Sequence, residues 1–284
     1  MLKEEELDII SICTPQETHA NITIDATKSN IQAIFCEKPI ATTLEDAKNM
    51  IKFCKKNNIK LVINHNKRWE SSFNYAKKLI ELGKIGKIVS ITGYYTSGLF
   101  VIGTHMLDIL MFFCGDVDWV LAEEEKTSIK TLKFSDNYSP DDPAANAYLS
   151  FKNGVKGFLN GSCKKEYLIF EIDLQGEKGR IRIEDNGKNV RLWKIKNSKL
   201  YEKKLSFKKE NKMINAVKEI VDCLKNNKES ISSGMEGYKA LEVIAAPTYG
   251  TELCETDEVN DKILARHHFS NQTVARNALN LWNK

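Results

Sequence analysis

Two short stretches of the 284-residue chain carry side chains suited to proton transfer. The first is Glu37-Lys38-Pro39, directly after the apolar run Ile31–Cys36. A lysine at the end of a buried strand is partly desolvated, and desolvation lowers its pKa toward the range of a working acid or base. Glu37 beside it can tune or orient the ammonium. A solvated loop lysine is the competing reading, because Lys is mostly exposed. The second stretch is Gly103-Thr104-His105-Met106-Leu107-Asp108. His105 and Asp108 lie three apart and share a face on a helix. A carboxylate there can hold the imidazole tautomer, and a core histidine with a satisfied hydrogen bond is the alternative. His19 and His65 stand isolated in the sequence, and His267-His268 receives no role.

The elements that position these groups alternate between apolar runs and helical stripes. Leu7–Cys13, Ile31–Cys36 and Ile59–Ile63 read as short strands ended by Thr14-Pro15, Glu37-Lys38-Pro39 and Asn64-His65-Asn66. Between them, residues 17–29 read as a helix, and Thr42-Thr43-Leu44-Glu45 resembles a cap before a stripe of Leu44, Ala47, Met50, Ile51 and Cys54. Continuous apolar strands separated by helices predict a parallel sheet covered on both faces, with a ligand beyond the carboxyl ends of its strands. Asn66, Arg68 and Trp69 follow the third such end.

Downstream the pattern changes. Residues 71–82 and 103–113 read as helices and 87–95 as a strand. Strand-like segments run from Val117 to about Phe207, with hairpin signals at Lys152-Asn153-Gly154 and Asp185-Asn186-Gly187. This predicts a second domain built on a mostly antiparallel sheet, followed by helices over 210–225 and 233–245, with Pro247 ending the last.

Composition excludes several classes. Hydrophobic residues make up 42% and charged residues 28%, a globular balance. The net charge of +4 comes from scattered residues, so neither nucleic acid nor a membrane surface is an expected partner. No run of 18 apolar residues occurs, and the polar, acidic start is not a secretory signal. The seven cysteines form no C-x-x-C pair, so no metal site is expected. They read as buried thiols of a reducing compartment, which points to the cytoplasm.

Taken together, Cys13-Thr14-Pro15-x3-His19, Cys36-Glu37-Lys38-Pro39-Ile40-Ala41, Asn66-x-Arg68-Trp69 and Gly103-x-His105-x-x-Asp108 form a familiar series. The chain resembles the glucose–fructose oxidoreductase / inositol dehydrogenase (Gfo/Idh/MocA) family from about Asp8 to Ala246. The resemblance implies an α/β fold: a partial, N-terminally truncated Rossmann parallel sheet over 1–66, and a C-terminal α/β domain with a large, mostly antiparallel open sheet over 67–246. Residues 247–284 stay unassigned. It also implies hydride transfer between NAD or NADP and a hydroxyl or carbonyl carbon of a sugar, cyclitol or sugar nucleotide, in a homo-oligomer joined through the C-terminal sheet. By likeness, Lys38 is the proton-relay lysine and His105 the substrate-side histidine. Thr14, Pro15, His19, Glu37, Pro39 and Arg68 fall on the cofactor side. Asn66, Trp69 and Asp108 join Lys38 and His105 on the substrate side.

Three departures accompany the likeness. No G-x-G-x-x-G occurs in the chain, although that turn holds the dinucleotide pyrophosphate. Roughly 60 residues, two βαβ-type units, are therefore expected to be missing ahead of Leu7, which would leave the first strand with an exposed edge. Val101 stands where the family often carries Asp or Asn, and it can neither donate nor accept a proton. The tail after Pro247 does not match. A non-catalytic binding or oligomerisation module is the alternative reading, and a generic α/β binding module with coincidental motifs is a third.

Overall fold

The computed structural model describes residues 2, 5–125, 142–163, 167–197, 199–208 and 210–249. Three strands, β1 (Ile9–Ile12), β2 (Ala33–Cys36) and β3 (Lys60–Ile63), form a parallel sheet in the order β1-β2-β3. Every β2 residue is buried, as a central strand covered on both faces requires. Ile10, Ile12, Ile34, Cys36, Leu61 and Ile63 face the helices α1 (His19–Ala26) and α2 (Leu44–Lys56). α2 starts at Thr43, whose hydroxyl accepts from the Asp46 amide at 3.0 Å, a local N-cap. α1 is shorter than the sequence pattern suggests, because Gln16–Thr18 forms a separate tight turn.

The opposite face of this sheet is covered from far along the chain. Ala33, Phe35 and Val62 pack against Ala216 and Ile220 of α5 (Lys212–Lys225) and against Trp69. The free side of β3 is closed by Ser232, whose carbonyl accepts from the Ile63 amide at 2.8 Å. On its other side β1 pairs with no strand among the described residues.

The second sheet has eight strands: β4 (Ile88–Thr96), β5 (Val117–Glu124), β6 (Ala145–Phe151), β7 (Lys156–Ser162), β8 (Phe170–Gly176), β9 (Gly179–Glu184), β10 (Asn189–Lys196) and β11 (Lys199–Ser206). They run in the order β11-β10-β9-β8-β4-β7-β6-β5. Only β4–β7 is parallel, so the sheet is mostly antiparallel. β5 starts at Val117, where the strand-like stretch of the sequence begins, with Val120 and Ala122 on its buried face. One face is buried under α3 (Ser71–Glu81) and α4 (Thr104–Cys114), around Phe73, Tyr95, Ile91 and Leu110.

The last helix, α6 (Gly234–Tyr249), joins the two cores. Leu241 belongs to the first and Ala240 and Ile244 to the second. It lies so close to β3 that a Cβ on Gly237 would sit 2.6 Å from Ile63, which favours glycine there. Pro247 does not end this helix, which runs on to Tyr249. A proline near a helix end removes one backbone bond, and its fixed φ is itself helical. His267, His268, Cys254 and the rest of the tail lie outside the described residues. No helix among the described residues is long and apolar enough to cross a membrane.

Candidate active site

Lys38 leaves the carboxyl end of β2, and its ammonium crosses to the second lobe. Lys38 Nζ donates to the Val101 carbonyl at 2.6 Å. Val101 sits in a wide, π-type turn, Leu99–Gly103, that runs directly into α4. Such turns occur often at functional positions. Burial lowers the Lys38 pKa, while Glu37 and Asp142 oppose that shift. Glu37 is itself held, since its carboxylate accepts from Asn64 Nδ2 at 2.6 Å and from the Lys38 amide at 3.3 Å.

His105 opens α4 four residues after Val101 and is 8% exposed. Its pKa lies well below the ordinary histidine value, first through burial and then through the Lys38 charge and His65. Lys38 and His105 therefore belong to one electrostatic cluster. Asp108 does not hold the His105 tautomer, as the i,i+3 spacing suggested. Both carboxylate oxygens of Asp108 accept from Arg68 Nε at 3.0 Å, and His105 Nδ1 is buried without a partner. The imidazole beside His105 is that of His65, with ring centroids 6.0 Å apart and planes at 89°. His65 looks isolated in sequence because β3 brings it into place from 40 residues upstream of His105. Burial lowers its pKa too, with Asp108 opposing and Arg68 reinforcing.

Other residues read from the sequence fall elsewhere. Arg68, expected on the cofactor side, is 3% exposed and spends its guanidinium on Asp108, Glu236 and the Ile231 carbonyl. His19 is also buried. Its Nδ1 lies 2.9 Å from the Pro39 carbonyl and its Nε2 3.0 Å from the Thr14 carbonyl, so it ties those two turns together and presents no free nitrogen to a ligand. Asp108 has no exposed surface and Trp69 packs edge to face on Phe35, which removes both from substrate contact. Asn66 is half-buried, and Thr14 and Pro15 are exposed at the carboxyl end of β1. Asp142 was not among the expected site residues. It is 7% exposed and accepts from the Phe100 and Val101 amides at 2.9 and 3.1 Å. An aspartate in a polar stretch carries no sequence signal for that role.

Several buried polar atoms here lack protein partners: Asn64 Oδ1, both His65 nitrogens, Thr104 Oγ1 and His105 Nδ1. Buried polar groups are normally bonded, so these atoms stand out in the cluster. For a dinucleotide, the exposed Thr14-Pro15 turn and the neighbouring Glu37-Lys38-Pro39 turn fit the nicotinamide end, at the carboxyl edge of a parallel sheet. Of the 284 residues none forms a G-x-G-x-x-G turn for the pyrophosphate.

This combination defines a two-lobed α/β protein with a parallel three-stranded sheet, a larger mostly antiparallel sheet and a buried lysine–histidine cluster between them. Residues 1–65 match the family model described as "Oxidoreductase family, NAD-binding Rossmann fold", and residues 95–249 match "Oxidoreductase family, C-terminal alpha/beta domain". The chain belongs to the Gfo/Idh/MocA oxidoreductase family. It is 28% identical over 198 residues to a D-apiose dehydrogenase of Rhizobium rhizogenes, which covers 62% of this chain and 55% of the relative. It is 27% identical over 197 residues to a myo-inositol 2-dehydrogenase of Thermotoga maritima, which covers 64% of this chain and 58% of the relative. The chain thus matches a little over half the length of these curated relatives. In fold it resembles levoglucosan dehydrogenase in complex with NADH and levoglucosan, with a TM-score of 0.76 and 19% identity, over 86% of this chain and 78% of that one.

Proposed function

We propose that the chain serves an NAD- or NADP-dependent oxidoreductase acting on a hydroxyl or carbonyl carbon of a sugar, cyclitol or sugar nucleotide. The observation that carries this reading is the desolvated Lys38 ammonium, fixed at 2.6 Å on the turn that leads into His105. The relatives named above are named for polyhydroxylated substrates.

A bound nicotinamide supplies the hydride acceptor or donor. Thr14, Pro15 and the Glu37–Pro39 turn would hold its ring end. In the oxidising direction Lys38, as the neutral amine, takes the proton of the substrate hydroxyl at Nζ. The lowered pKa makes that form accessible nearer neutral pH. His105 stays neutral and orients the same oxygen by a hydrogen bond. In the reducing direction Lys38 returns the proton to the carbonyl oxygen.

In this reading residues 1–66 form the dinucleotide lobe and residues 67–246 the substrate lobe, with α5 and α6 reaching back to brace the first. The sheet face opposite α3 and α4 carries a Trp119–Tyr148–Phe158 aromatic row and is the surface for a second copy. Five buried cysteines with free thiols fit a reducing cytoplasm.

The test is a fluorescence titration with NADH and NADPH, followed by turnover on a panel of sugars, cyclitols and sugar nucleotides. Binding and turnover that disappear in Lys38→Ala support the reading. Turnover untouched by that change would sink it. Val101, whose side chain offers no polar group to the site, favours a second reading as a binding or oligomerisation module. That reading expects no turnover but a stable oligomer.

A further inference from the structure

Residue 101 is gripped from both sides by opposite charges. Its carbonyl accepts from the Lys38 ammonium at 2.6 Å, and its amide donates to Asp142 Oδ2 at 3.1 Å. Asp142 Oδ1 takes the preceding amide, Phe100, at 2.9 Å. The next amide upstream, Leu99, is tied to the Pro143 carbonyl at 2.9 Å. Asp142 and Pro143 thus fasten three successive residues of the wide turn. The carboxylate sits against Gly98, where an added Cβ would lie 2.0 Å from Asp142 Oδ2. Glycine makes room for the contact.

We infer that Asp142 is a positioning residue: its carboxylate clamps the Phe100 and Val101 amides, aims the Val101 carbonyl at Lys38, and supplies the negative charge that faces this ammonium from the second lobe. Position 101 then needs no polar side chain, because its backbone does the holding. Among the described residues, the other charged or titratable groups around Lys38 are Glu37 on its own turn and the imidazoles of His65 and His105. Burial raises the Asp142 pKa, and the two amides and Lys38 pull it back. The assignment of Lys38 as the base rests on the proposed function, but the clamp itself is testable without turnover.

The experiment follows Lys38 by NMR after reductive methylation of the full chain with ¹³C-formaldehyde, with its signal assigned by loss in Lys38→Arg. Asp142→Asn removes the charge and is expected to move the Lys38 titration to lower pH, because the ammonium loses a stabilising partner. An unchanged Lys38 titration in a folded Asp142→Asn chain would overturn the clamp. If Asp142→Asn does not fold, the reciprocal measurement decides. Coupling between two sites is symmetric, so Lys38→Met must move the Asp142 carboxyl titration to higher pH, read from its ¹³C shift. An Asp142 titration that stays in place in Lys38→Met overturns the proposal. A moving Lys38 signal in a chain without turnover on any substrate supports the clamp and removes the oxidoreductase reading instead.

Discussion

The imidazole of His65 meets that of His105 edge to face, 6.0 Å between centroids and 89° between planes, with both rings buried. Burial lowers both pKa values below 6.5 in the folded chain. An unfolded histidine near its ordinary value binds a proton that the folded chain refuses. Stability is therefore full above about pH 6.5 and falls as pH drops below it, by up to about 1.4 kcal/mol per pH unit for each ring. Thermal melts at successive pH values should show this loss. His65→Phe keeps an aromatic ring on His105 and should flatten the acid slope by about half. A slope unchanged in His65→Phe would mean that His65 charges freely in the fold.

Lys38→Ala should leave the melting curve nearly intact, since among the described residues the ammonium makes a single hydrogen bond. Turnover should fall by roughly 10²–10⁴-fold, the usual range for a positioned proton donor or acceptor. Lys38→Arg is expected to fare little better. Arginine keeps the charge but does not release its proton at working pH. Steady-state rates across pH read both effects, and an active Lys38→Arg chain would rule out proton transfer by this side chain.

Both sheets were legible in the sequence, because apolar runs and hairpin signals are local. β2 is apolar throughout and is buried on both faces, and the Asp185-Asn186-Gly187 turn has positive φ at all three residues. The return of α5 to the first sheet was not legible, since Ala216 and Ile220 form the same stripe whichever sheet they meet. The site divides in the same way. Lys38 and His105 stand out by their position after a strand and at a helix start. His65 and Asp142 do not, because only the packing of the two lobes places them there. Arg68 misled for a related reason: a sheet-end arginine and a buried structural arginine look alike until Asp108 and Glu236 close around it.

Gly237 reports on the contact between α6 and β3. Gly237→Ala would place its new methyl 2.6 Å from Ile63 Cγ1, and Ile63 has no exposed surface through which to yield. Overpacking of this kind costs about 1–3 kcal/mol, partly offset by the better helix propensity of alanine, worth up to about 1 kcal/mol. Urea denaturation should show a net loss. A stabilised variant would mean that α6 can slide away from the sheet without cost.

The buried Arg68 cluster makes the sharpest stability prediction. Arg68 joins Asp108, Glu236 and the Ile231 carbonyl, and its guanidinium also stacks 5.2 Å from the Phe112 ring centre. Asp108 has no exposed surface and, among the described residues, no other ion-pair partner within 3.5 Å, as His65 Nδ1 lies at 3.9 Å. Arg68→Met keeps the aliphatic stem, loses the guanidinium over Phe112, and leaves that carboxylate buried without its counter-charge. Removing one partner of a buried pair costs about 3–5 kcal/mol. Replacing both partners together, Arg68→Met with Asp108→Leu, removes the stranded charge as well, and apolar replacements of buried pairs are often neutral or better. The double variant should therefore be more stable than the Arg68→Met single in urea titrations. A double variant no more stable than the single would show that the cluster stabilises through shape and stacking rather than through matched charge.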